Sequence, residues 1–211
     1  MIDLILSRLH TSSIRKALYL WRYFAIRLRY SFREVGFGCY IPFSCQIQGA
    51  DHMELGNNVT MSWDCRLLTP LIWLPSDDSK LTLRIDDNVS LGRRCTISAA
   101  NRVLIGSNVL VGPNVLIVDH NHNYKDIHRP IRQQGWSRNG YIVIEQNCWI
   151  GANVVIIGSK GITIGQGSVI GANTVVTKSV PKFSVVAGNP CKILSHYDES
   201  AQQWVSAGEL V

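Results

Sequence analysis

From residue 55 onward an aliphatic residue returns every six positions, usually with Gly behind it. Leu55-Gly-Asn-Asn-Val-Thr leads to Met61-Ser-Trp-Asp-Cys-Arg and Leu67, and Ile85-Asp-Asp-Asn-Val-Ser leads to Leu91-Gly-Arg-Arg-Cys-Thr and Ile97. The register restarts at Ile105, Val111 and Ile117, again at Ile144, Ile150 and Ile156, and finally at Ile164, Ile170 and Val176. A six-residue period fits neither the 3.6 of a helix nor the plain alternation of a strand; it fits a short strand plus a tight turn, stacked as one face of a coil. Three such hexads close one triangular turn. The aliphatic residue then points into the prism, Gly and Asn accept the positive φ of the turns, and the fifth position takes a small interior residue.

Cys65, Cys95 and Cys148 fall at that fifth position, which Val59, Val89, Val109, Val115 and Val154 fill elsewhere, so packing accounts for them. None of the six cysteines forms a CxxC pair, which gives no sign of a zinc ribbon or a redox dithiol and fits a reducing cytoplasm. Two stretches break the register, residues 69–80 and 119–140, and extrusions of this kind lie on the surface, where function concentrates.

The hexads of residues 50–192 resemble the hexapeptide-repeat family. The resemblance implies a mainly β fold, a left-handed parallel β-helix, with end caps supplied by an amino-terminal helical segment and a short carboxy-terminal helix at Asp198–Ala207. The expected division is a basic helical segment (1–35), a β-helix domain (36–195) and a carboxy-terminal tail (196–211). With 211 residues and 46% hydrophobic against 17% charged side chains, the chain buries a core and is not disordered.

Of the +6 net charge, residues 1–35 carry most, with seven cations (Arg8, Arg15, Lys16, Arg22, Arg27, Arg29, Arg33) against Asp3 and Glu34. Confinement to one segment points to a local anionic partner, most simply a membrane surface, rather than to nucleic acid. Read as a helix, residues 2–33 interleave Leu4, Ile5, Leu9, Ile14, Leu18, Trp21, Ala25 and Leu28 with those cations. Two readings stand: an interfacial helix, or a cap on the solenoid's end. No stretch reaches the roughly 20 apolar residues of a membrane span, and arginines interrupt every apolar run where a signal peptide would need one. The expected location is cytoplasmic, peripheral at the inner face of the membrane if the helix is interfacial.

The second extrusion holds half of the histidines, His120, His122 and His128. They could supply a general base, a metal site or merely a polar surface. Carbonic anhydrases built on the same fold bind zinc through three histidines, two of them five apart; here the spacings are two and six, which argues against a zinc hydratase. In the acetyltransferase branch, a histidine on this loop is followed by a Trp in the next coil, a position Trp149 matches, and Asp119-His-Asn-His122 looks like the polysaccharide-modifying members. An ungapped coil register carries the family's catalytic histidine onto His122; His120 is the alternative, beside Asp119, which could orient an imidazole.

The tail from Val176 through Val180-Pro181 to Gly188-Asn-Pro-Cys-Lys192 resembles the coenzyme A end of these enzymes. The resemblance carries over Trp149, Ala152 and Ala172 to the pantetheine arm and Thr177, Lys178 and Lys192 to the nucleotide. Two positions depart from sugar acetyltransferases: Ser195 where an arginine is common, and Gly92 where an Asn holds substrate. The resemblance implies an acetyl-CoA-dependent O-acetyltransferase that needs no metal, is a homotrimer with sites between chains, and acts on a sugar hydroxyl of a polysaccharide or its lipid-linked precursor. Arg129, Arg132 and Arg138 on the loop could meet an acidic acceptor. A non-catalytic β-helix scaffold is the competing reading of the same fold.

Overall fold

The six-residue period becomes three parallel sheets wound into one triangular solenoid. The computed structural model describes residues 12–70, 81–137 and 139–209; Leu4, Ile5, Arg8 and Leu9, most of the first extrusion and Arg138 lie outside them. The first face stacks Glu34–Val35, Met53–Leu55, Leu83–Ile85, Val103–Ile105, Ile142–Ile144 and Ile162–Ile164. The second stacks Thr60–Met61, Ser90–Leu91, Leu110–Val111, Trp149–Ile150, Val169–Ile170 and Ser184–Ala187, and the third runs from Gln46–Gln48 to Val175–Val176. Every pairing between coils is parallel and in register, for example Leu83↔Val103 and Ile117↔Ile156, in the manner of a left-handed parallel β-helix.

The aliphatic position forms the core: Leu83, Ile85, Ile117, Ile144 and Ile164 are fully buried. Burying a side chain of this size stabilises by about 1.5–3 kcal/mol, repeated at every corner of every coil. The fifth-position cysteines are buried too, each thiol donating to a carbonyl one coil on, Cys65 to Gly92 at 3.0 Å and Cys95 to Gly112 at 3.1 Å. Burial pushes the Cys39 and Cys148 thiols up, so they remain uncharged packing groups.

Positive φ belongs to the fourth position, not the second. Asn58, Asn88, Asn108, Asn114, Asn147, Asn153 and Asn173 have φ between 56 and 61°, a left-handed turn that Asn tolerates. Glycine at the second position answers to coil spacing: a Cβ on Gly112 would lie 2.8 Å from the Ala152 amide nitrogen of the next coil.

The helix Ser12–Arg29 packs on the amino-terminal end through Ile26, which is buried in the core cluster, and through Tyr23, whose ring stacks on Phe37. At the other end, the short helix expected at Asp198–Ala207 is replaced by an antiparallel hairpin, Lys192–Asp198 with Gln203–Ser206. The Asp198 carboxylate accepts from the Ser200 and Ala201 amides and from the Ser200 hydroxyl, which reverses the chain instead of starting a helix. Tyr197 and Trp204 then pair directly across the two strands. A single 3-10 turn, Ala207–Glu209, follows among the described residues.

Candidate active site

Both extrusions leave the solenoid at one edge, where the third face turns back to the first. The strand Leu116–Val118 delivers Asp119 and His120 there, fully and almost fully buried, and the chain re-enters at Ile142. Asp119 is held by the turn one coil earlier. Its Oδ1 accepts from the Ala100 amide at 2.9 Å, and its Oδ2 accepts from the Asn101 and Arg102 amides, both at 2.7 Å. The remaining contact of Oδ1 is His120 Nδ1 at 2.8 Å.

Three backbone N–H donors fix Asp119 as an acceptor on both oxygens, so Nδ1 of His120 must carry the proton that bridges them. The imidazole is thereby held in the tautomer whose Nε2 has the lone pair, and among the described residues no group bonds Nε2. Such an imidazole can take a proton from a bound hydroxyl.

The loop is itself an ordered hairpin. Asn121 exchanges bonds with Ser137, accepting from its amide at 2.7 Å and donating its own amide to the Ser137 hydroxyl at 3.0 Å. The Gln134 side chain ties the tip to Asp126 and Arg129. This closure lays the Trp136 ring against both histidines, 4.5 Å from His120 and 4.3 Å from His122 between centroids. Gly140 closes the loop: a Cβ there would overlap the Asp119 carbonyl.

His122 and His128 are exposed, and the Asp119 oxygens are occupied, so among the described residues no three such side chains converge on a common point. Asn101 lies buried in the turn that holds Asp119, and its Nδ2 has no hydrogen-bond partner. Trp136, Asn101 and the 100–102 amides escaped sequence reasoning, because they join Asp119 only through coil stacking and loop closure. The one sequence signal was the Asp-His pair itself.

The residues expected at the donor divide between two regions. Thr177 and Lys178 occupy the same edge as His120, two coils further on, exposed. Trp149 stands 53% exposed on the second face, opposite that edge, while Ala152 and Ala172 stack at the turns between the second and third faces. Lys192, also exposed, begins the carboxy-terminal hairpin against Ala187. Within one chain, therefore, Trp149 and His120 are not brought together.

Residues 141–178 match the family model described as hexapeptide repeat of succinyl-transferase. WbbJ of Escherichia coli K12, named as a lipopolysaccharide biosynthesis O-acetyl transferase, is 30% identical over 173 residues, which cover 79% of this chain and 83% of WbbJ. A solved maltose O-acetyltransferase from Clostridium difficile 630 superposes with a TM-score of 0.53 at 28% identity, over 82% of this chain and 73% of that one. AntD, an N-acyltransferase from Bacillus cereus solved with dTDP and 3-hydroxybutyryl-CoA, has a TM-score of 0.68 at 16% identity, over 84% and 89% of the two chains, a likeness of fold alone.

Proposed function

The chain belongs to the hexapeptide-repeat acetyltransferases, and from that premise we propose that it moves an acetyl group from acetyl-CoA to a sugar hydroxyl of a polysaccharide or its lipid-linked precursor, in the cytoplasm, with His120 as general base. The observation that carries this reading is the Asp119–His120 pair, locked by three backbone amides at the edge where the loop leaves the solenoid. His120 Nε2 takes the hydroxyl proton as the oxygen attacks the thioester carbonyl. The tetrahedral adduct then collapses, the carbon–sulfur bond breaks, and the imidazolium returns its proton to the coenzyme A thiolate. Asp119 holds the ring and stabilises its charged form without taking up the proton.

The sugar acceptor is supported by the names of WbbJ and of the maltose enzyme. The opposition of Trp149 and His120 supports a homotrimeric assembly, in which one chain's histidine edge faces the neighbour's Trp149 face and Ala152 and Ala172 border the pantetheine arm. Thr177, Lys178 and Lys192 are the candidate contacts for the nucleotide phosphates.

Thiol release from acetyl-CoA, with and without an acceptor oligosaccharide, tests the assignment. His120→Ala should lower the rate by about 10²–10⁴, the usual worth of a positioned general base, while His122→Ala should change it by only a few-fold. The reverse ranking would move the base to His122. A folded protein that binds no acetyl-CoA would leave a scaffold in place of an enzyme.

A further inference from the structure

We propose that the helix Ser12–Arg29 lays an exposed apolar face on the surface of an anionic lipid bilayer, so that the solenoid stands on the membrane by its amino-terminal end. The helix carries two apolar faces, and among the described residues only one is used by the fold. Ile26 is buried in the core, Tyr23 stacks on Phe37 with centroids 4.6 Å apart, and the Arg22 guanidinium lies 4.8 Å over the Tyr40 ring. At about 100° per residue, Ala17, Leu20, Trp21, Phe24 and Leu28 fall together on a different arc, about 100° wide.

That second arc is in solvent. Leu20 is 47% exposed, Trp21 64%, Phe24 63% and Leu28 92%. Phe37 and Phe43 of the first coil are exposed as well, 56% and 78%. Arg29 fixes Phe43 in place, donating to its carbonyl at 2.9 Å with the guanidinium 4.8 Å over its ring. Capping and interfacial binding therefore do not compete for the same residues.

Charge selects the occupant. Between Ser12 and Arg33 the chain has Arg15, Lys16, Arg22, Arg27, Arg29 and Arg33 and no acidic residue. A second copy would bring its own cations against these, whereas anionic headgroups complement them. Aromatic and aliphatic side chains on an arc flanked by arginines suit the boundary between headgroups and acyl chains. Among the described residues no helix is long and apolar enough to cross a membrane, so the helix would lie on the surface.

This inference stands independently of the transferase reading, and flotation of the full-length protein with vesicles tests it. Wild-type protein should float with phosphatidylglycerol–phosphatidylcholine vesicles, much less with phosphatidylcholine alone, and less as salt is raised. The variant Trp21→Ser/Phe24→Ser/Leu28→Ser changes only exposed side chains; it should partition roughly tenfold more weakly or worse, with an unchanged melting curve and mass in light scattering. Arg27→Glu should weaken flotation with the anionic vesicles alone. Wild-type protein that stays below the anionic vesicles, or a triple variant that floats as well as wild type, would overturn the proposal. A triple variant that falls to a smaller oligomer would also overturn it, by assigning the face to contact between copies.

Discussion

Two edges of the same prism follow different rules. From the first face to the second the spacing never changes: Leu55 to Thr60, Ile85 to Ser90, Ile105 to Leu110, Ile144 to Trp149 and Ile164 to Val169 are each five residues apart. From the third face back to the first it varies widely, short from Ser98 to Val103 and from Ile157 to Ile162, long from Leu68 to Leu83 and from Val118 to Ile142. The constant edge is locked from coil to coil by side-chain amides, Asn58 to Asn88 at 3.1 Å and Asn88 to Asn108 at 3.2 Å. An insertion there would break a ladder of left-handed turns. On the variable edge polar groups pair locally, in the Asp119 cradle and between the Thr69 and Thr82 hydroxyls, and its turns can give way to loops. Regularity builds the scaffold, and chemistry collects where the regularity lapses.

The comparison breaks most visibly at Asp119. Asp119→Asn turns one acceptor into a donor against the Ala100, Asn101 and Arg102 amides or against His120 Nδ1–H. The rate of thiol release should fall by about 10²–10⁴, because the imidazole loses both its fixed tautomer and the partner for its charged form. Stability should fall as well, by about 1–3 kcal/mol for donors left unpaired in a buried turn. A variant that melts early yet turns over at the wild-type rate would make Asp119 a structural staple only.

The opposite outcome is expected on the constant edge. Asn88→Ala puts a Cβ-bearing residue without local hydrogen bonding at φ 58° and removes both links of the ladder. The cost should be about 1–3 kcal/mol in denaturant unfolding, with thiol release unchanged within two-fold. Loss of activity from this variant in a folded protein would mean that the two edges are coupled.

The solenoid was legible because each coil repeats the same local choices: an aliphatic residue inward, Asn at the left-handed turn, a small residue or thiol at the fifth position. Every one of these is decided within six residues. The site was legible only in part. Counting coils without a gap favours His122, but which ring is oriented depends on amides about 20 residues earlier and on the loop's return through Trp136 and Ser137. The carboxy-terminal hairpin was hidden for a related reason. An Asp ahead of a mixed polar segment reads equally as a helix cap and as a side-chain-closed turn, and the pairing of Tyr197 with Trp204 that decides between them exists only in three dimensions.

The smallest effect lies at that turn, and it sharpens the contrast between a side chain embedded in the solenoid and one that closes a surface reversal. The Asp198 carboxylate is held below its ordinary range by the Ser200 hydroxyl first, and then by the Ala201 and Ser200 amides. A pKa depressed in the folded state contributes stability in full above the unfolded value of about 4, and that contribution disappears as the pH falls through the lower, folded value. The hairpin should therefore loosen only below about pH 4, while the Asn58–Asn88–Asn108 ladder, closed by neutral side-chain amides, keeps its bonds. An acid titration followed by NMR should move the Ser200 and Ala201 amide resonances together over that window, leaving those of Asn88 and Asn108 in place, and Asp198→Asn should abolish the transition. Ser200 and Ala201 resonances that titrate alike in the wild type and in Asp198→Asn would mean that the turn is held by the Tyr197–Trp204 pairing rather than by its carboxylate.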